Sequence, residues 1–212
     1  MLKLLIRQSN WGILGSVFAF IIGFIVKTFV IREVGTIEWG KYVTAHTFAM
    51  LSDTILSFGI PYVILKFFPV FIKDLKDKSL YYIQIILRFS LWISFVFLII
   101  MYFLSPFLDK YIYINSDNFS YLLLVISIHA PISVLMGVIN SLFRASFKIK
   151  EIVLYGTFIS VSIRAILTFI VFQFSSDIIF FVFAELFAQV FTLCLLFYTF
   201  NRDEIKIFNI KP

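Results

Sequence analysis

The sequence predicts an all-α integral membrane protein with six transmembrane helices. Three observations carry that prediction: a large excess of apolar residues, apolar runs of spanning length, and a lopsided distribution of basic residues between those runs. Hydrophobic residues make up 61% of the chain against 14% charged, and the mean hydropathy is +1.02. Soluble domains carry about half apolar and about a quarter charged residues, so a water-soluble core could not hide this much apolar surface. The single cysteine, Cys194, lies inside an apolar run, which excludes an intramolecular disulfide and hints at no metal cluster. The net charge of +6 raises the question of nucleic acid. The basic residues, however, lie between apolar runs rather than on a stripe with exposed aromatics, so membrane orientation accounts for them better and no nucleic-acid partner is expected.

About 20 apolar residues are needed to cross a hydrocarbon core roughly 30 Å thick. Runs of that kind fall at about 9–31, 41–65, 83–105, 119–143, 152–173 and 178–200. The first follows Lys3 and Arg7 as a signal peptide would, but its apolar run is much longer than a cleavable one and no small-residue cleavage site follows, so it is expected to stay as a helix. Between the first two spans, the stretch VIREVGTIEWGKYV, Val30 to Val43, crowds charges and two glycines into a few residues. It reads as a turn in which Gly35 and Gly40 take conformations closed to other residues, braced by Arg32 and Glu38.

After the second span, KFFPVFIKDLKDKSLYY reads as a short interfacial helix, with phenylalanines in the headgroup boundary and lysines facing anionic lipid. The third span carries mainly Arg88 near one end and is expected to face lipid. The fourth holds His129, Ser133, Asn140 and Arg144, with Pro131 able to bend it. The fifth and sixth follow, and residues 201–212 form a polar tail.

Orientation follows from lysine and arginine. With the N-terminus inside, the inner segments hold Lys3, Arg7, Lys66, Lys73, Lys76, Lys78, Arg88, Arg144, Lys148, Lys150, Arg202, Lys206 and Lys211. The outer segments hold only Arg32, Lys41 and Lys110, and an even number of spans returns the C-terminus to the inside.

An ionisable side chain at the bilayer centre costs about 2.5–3.5 kcal/mol by insertion scales, so each one within a span calls for a protein or water partner. In the first span Gly15, Ala19, Gly23 and Lys27 recur at steps of four, and small residues at that spacing let helices approach, turning Lys27 toward the bundle. The second span shows His46, Met50, Asp53 and Ser57 on one face, with Asp53 near the midplane. The fifth shows Gly156, Ser160, Arg164 and Thr168, and the sixth Glu185, Gln189 and Thr192. Two readings stand side by side. Matching by depth pairs Arg164 with Asp53 and Lys27 with Glu185, so that the charges hold helices together. Alternatively the groups line a water-filled cavity, in which Lys27 and Arg164 attract an anionic substrate and Asp53 or Glu185 exchanges a proton or cation. His46 and His129 are expected to serve helix packing before titration.

With the spans in place, Arg32, Gly35, Glu38, Gly40 and Tyr42 in IREVGTIEWGKY resemble the pattern Arg-x-x-Gly-x-x-Glu-aromatic-Gly-x-Tyr that joins the first two spans of polysaccharide exporters and oligosaccharide flippases of the Wzx type. These belong to the multidrug, oligosaccharidyl-lipid and polysaccharide exporter superfamily. FGIPYVILKFFP and LFRASFKIKE, with Arg144 and Ala145, follow in the family's order. Members usually have two lobes of six or seven helices around a central cavity. Residues 1–200 therefore resemble the N-terminal lobe of such a two-lobe transporter, and residues 201–212 a tail or the start of a linker to a second lobe.

The resemblance implies export of undecaprenyl-pyrophosphate-linked oligosaccharide across the bacterial cytoplasmic (inner) membrane for surface polysaccharide such as O-antigen, capsule or exopolysaccharide. It implies alternating access, with Lys27, Arg164 and His129 toward the pyrophosphate. It also implies Asp53 or Glu185 as coupling groups for a Na+ or H+ gradient, and a polysaccharide polymerase and chain-length regulator as partners. A multidrug cation antiporter of the same superfamily would lean on Asp53 and Glu185 instead. A membrane glycan enzyme or a non-transporting scaffold subunit are the alternatives from other classes. The sequence holds no phosphate-binding glycine loop, paired histidines or nucleophile elbow, so no catalytic residue, cofactor or metal is expected.

Overall fold

The computed structural model describes residues 2–74, 76–112 and 119–203, with side chains for 9–69, 81–111 and 119–202. Within them the chain is all-α and no strand occurs. The helices are α1 (Leu2–Leu56), α2 (Ile60–Asp74), α3 (Lys76–Ile112), α4 (Phe119–Ser127), α5 (His129–Ala145), α6 (Ile149–Glu151), a π-helix (Ile152–Ile159), α7 (Ser160–Val171) and α8 (Ile178–Asp203). Five helical stretches among the described residues are long and apolar enough to cross a membrane: Ser9–Leu56, Tyr81–Tyr111, Phe119–Ala145, Ile149–Val171 and Ile178–Arg202.

The first of these is far longer than one crossing requires, and it breaks at Gly35, where φ is 83° and ψ 167°. That combination is essentially closed to residues with a Cβ. The chain folds back there, so that Lys27 on one leg and Tyr42 on the other line one cavity. The second leg, Thr36 to Leu56, is about 31 Å long at about 1.5 Å per residue, enough for one crossing. The expected turn is thus a single glycine. Gly40 lies within the helix, and its carbonyl accepts a hydrogen bond from Thr44 Oγ1 at 2.9 Å. Nor does Arg32 brace Glu38: Glu38 pairs with Lys41 at 2.8 Å instead, one turn along the same helix.

The second crossing ends earlier than its apolar run. At Ser57–Gly59 the helix stops, with Phe58 at φ 44° and Gly59 at φ 69°, and α2 sets off in a new direction. The apolar residues of 60–65 therefore belong to α2, which packs on α5 and α3. The segment expected to lie at the interface is helical through Asp74 and again from Lys76, while its side chains from 70 to 80 lie outside the described residues. The fourth crossing is interrupted at Ile128 between α4 and α5. Pro131 accounts for the break, because its nitrogen cannot donate to the carbonyl of Ser127 and its ring crowds that carbonyl.

Two large apolar cores, with a small third of Leu56, Ala130 and Val134, hold the described part of the bundle. One, near the end that carries Gly35 and the 172–177 turn, gathers Val26, Val30, Phe119, Leu123, Phe181 and Val182. Phe29 stacks edge-on against Phe172, which places both turns at this tip end. The other core, at the opposite end, gathers Ile64, Val138, Leu142, Phe143, Leu196 and Phe200. The outer surface is apolar as well: Phe20, Trp92, Phe103 and Phe107 are largely exposed, and α3 presents most of its large side chains outward. In hydrocarbon such a surface costs nothing, whereas a free hydroxyl does. Accordingly Ser16, Thr47, Thr54 and Thr199 donate to carbonyls of the preceding turn.

Candidate functional site: a basic cavity near the tip of the bundle

The small residues of the first leg do what their spacing predicts. A Cβ on Gly15 would lie 2.8 Å from Cγ1 of Val153 in the π-helix, and one on Gly23 would lie 3.9 Å from a terminal nitrogen of Arg164. Close approach of these backbones brings Arg164 against the first leg. In α7 that arginine stands two turns before the helix end, and in α8 Glu185 stands two turns after the helix start, so the two meet across the hairpin. Arg164 Nη1 lies 3.2 Å from Glu185 Oε1. The other carboxylate oxygen, Oε2, accepts the Tyr42 hydroxyl at 2.7 Å. Glu185 is nearly sealed, with 7% of its side chain exposed, against 30% for Arg164.

This arrangement corrects both depth pairings. Arg164 does not meet Asp53, and Lys27 does not take Glu185. Asp53 is not at the level of the cluster: it sits one turn from the end of its helix, about 27 Å along the leg from Gly35 at about 1.5 Å per residue, while Arg164 lies about 10 Å from the end of α7. Asp53 is half-buried, and its carboxylate has no hydrogen-bond or ion-pair partner among the described residues.

A half-open cavity of about 530 Å³ lies over the cluster, with Lys27, Tyr42, His46, Met50, Arg164 and Glu185 in its wall. Lys27 is exposed to it and makes no hydrogen bond or ion pair with another described residue. Two bases stand against one acid in this wall, so the cavity carries one positive charge in excess. Arg164 Nε, buried, has no partner either. His129 does not reach the cavity surface. It is buried behind His46, with ring centroids 6.0 Å apart. Both of its ring nitrogens, and Gln189 Oε1, are buried without hydrogen-bond partners among the described residues. No group of three or more His, Cys, Asp or Glu suited to a metal ion occurs among the described residues.

Tyr42 is the member of the cluster that reasoning from charge missed, because it is not charged at neutral pH. Its register held the signal: it lies two turns past Gly35, at the depth where Lys27 and the two hairpin residues also fall. The charges meet at this level because both hairpins turn at the same end, so distance from the turn, not from the middle of an apolar run, sets depth.

The architecture is that of a multi-pass membrane protein with a cavity between its helices whose wall carries charged side chains. The sequence profile of the family described as polysaccharide biosynthesis protein matches residues 5–211, almost the whole chain. Comparison with curated proteins and with solved structures returned no match. On the extent of the profile match, this chain belongs to the polysaccharide biosynthesis protein family, the family of the Wzx-type exporters and flippases.

Proposed function

We propose that the protein takes part in flipping an undecaprenyl-pyrophosphate-linked oligosaccharide across the bacterial cytoplasmic membrane, N- and C-termini inside, for assembly of a surface polysaccharide. The observation that carries this reading is the excess positive charge of the cavity wall. A pyrophosphate cannot enter a low-dielectric bundle without compensating charge and hydrogen-bond donors. Lys27 offers an ammonium with no protein partner, and Arg164 offers a guanidinium fixed on one edge by Glu185 with further donors free. Tyr42 and Glu185 hold that guanidinium in place, so the acid serves orientation. A cation antiporter would want the opposite excess, and Asp53, its other acid, lies away from the cavity wall.

In this reading, access alternates as the helices around the cavity rock, and a proton or Na+ arriving at Glu185 would loosen Arg164 from it and couple the gradient to substrate release. His129 acts from behind, through His46. A polymerase and a chain-length regulator are the partners that would receive the flipped product.

The test is Lys27→Ala in the gene's native setting, with surface glycan and membrane-inserted protein measured together. Surface glycan should fall severely at unchanged protein level, and Lys27→Arg should restore part of it. Wild-type glycan in the alanine variant sinks the pyrophosphate role. Cysteine accessibility at Thr36 and Ser79, in a variant lacking Cys194, checks orientation: Thr36 should label from outside and Ser79 only from inside.

A further inference from the structure

A second cavity, independent of the one above, lies at the opposite end of the bundle, between α3, α5 and α8. Its volume is about 660 Å³, within the range of about 300–1,000 Å³ common for small-ligand sites. Its body is apolar, walled by Leu91, Leu135, Ile139 and Leu193, and its rim is polar, formed by Arg88 and Asn201. The rim sits where α8 passes from apolar sequence into Asn201, Arg202 and Asp203, the composition of a headgroup boundary. Arg88 is exposed there and has no ion-pair or hydrogen-bond partner among the described residues. Two other basic residues at this end, Lys66 and Lys150, rest over the rings of Phe67 and Trp11.

We propose that this groove binds one anionic phospholipid of the bilayer, with an acyl chain between α3, α5 and α8 and the phosphate on the Arg88 guanidinium. The apolar wall by itself selects nothing, because a lipid tail gains little on leaving other tails for leucine side chains. Discrimination comes from the rim. A basic group at the membrane surface favours anionic over neutral lipid about fivefold, and a guanidinium adds two parallel hydrogen bonds to phosphate oxygens. The groove thus ties α3, which packs directly on α4 and α5, to α8 through a lipid.

The native thiol Cys194 lies in the wall of this groove and is the chain's only cysteine, which supplies a direct readout. The purified protein is placed in nanodiscs of phosphatidylcholine with or without phosphatidylglycerol, and two quantities are followed: lipid retained in native mass spectrometry, and the rate at which N-ethylmaleimide modifies Cys194. Phosphatidylglycerol should be retained about fivefold over phosphatidylcholine and should slow modification several-fold. Arg88→Gln should abolish both preferences while leaving the rate in pure phosphatidylcholine unchanged. Leu135→Trp, which fills the groove and keeps the arginine, should abolish retention as well. Equal retention of the two lipids, or an undiminished preference in Arg88→Gln, overturns the proposal. So does displacement of phosphatidylglycerol by an equimolar isoprenyl phosphate, which would make the groove a station for a carrier lipid instead. None of these readouts depends on glycan export, so failure here leaves the function of the Lys27 cavity standing.

Discussion

Charges near the tip of the bundle and charges near its opposite end are treated differently by the same fold. At the tip end, Arg164, Glu185 and Tyr42 converge from three helical segments into one contact, with Lys27 beside them in the wall of the half-open cavity. At the opposite end Asp53, one turn from the end of its helix, and Arg88, exposed on the surface of α3, stand singly, with no partner among the described residues. The difference teaches where the membrane imposes its cost. A charge buried between packed helices must be neutralised by protein, whereas one on an exposed face or at a helix end reaches water or headgroups with its own side chain.

The strongest way to break that comparison is to remove the acid at the tip end. Glu185→Leu leaves Arg164 partly buried and uncompensated, and the expected loss is about 3–5 kcal/mol, read as a lower thermal midpoint in detergent and less protein in the membrane. Tyr42→Phe deletes one hydrogen bond to a carboxylate that keeps its arginine, so about 1.5–3 kcal/mol should be lost, in the same measurement. If the two variants cost the same, the ion pair contributes nothing beyond the hydroxyl.

The fold-back itself comes next. Gly35→Ala forces a Cβ into a φ of 83°, at a cost of about 1–3 kcal/mol. Open space around that position means the strain is purely conformational, so Gly35→Ser and Gly35→Ala should behave alike. Smallest of all, Asp53→Asn should change stability by less than about 0.5 kcal/mol, as for a side chain with no partner to lose. A large loss there would show that the opposite end is held by a contact comparable with the Arg164 pair.

How far the sequence could be read depended on which physical quantity each feature obeyed. The residues at steps of four, Gly15 through Lys27 and Gly156 through Thr168, announced close helix approach, and the structure packs Gly15 on Val153 and Gly23 opposite Arg164. The loop IREVGTIEWGKY carried the family resemblance and marked the return of the chain. Its brace was misread because Glu38 finds Lys41 a turn away before it could reach Arg32. The choice of charge partners was misread for a different reason. Apolar runs give the length of a crossing but not where within it the helix stops, and Ser57–Gly59 and Ile128 both interrupt runs that look continuous.

Composition and periodicity alone determined that this is a helical membrane protein and which helix faces are small or polar. These follow from the length of chain needed to cross hydrocarbon and from the geometry of a single helix, both of which are local. Only the tertiary structure decided that Glu185 belongs to Arg164 and Tyr42, that Asp53 stands apart, and that Lys27 is left without a partner over an open cavity. Those outcomes depend on where two hairpins turn and at what depth they lie against each other, and that register is fixed by packing between helices far apart in sequence.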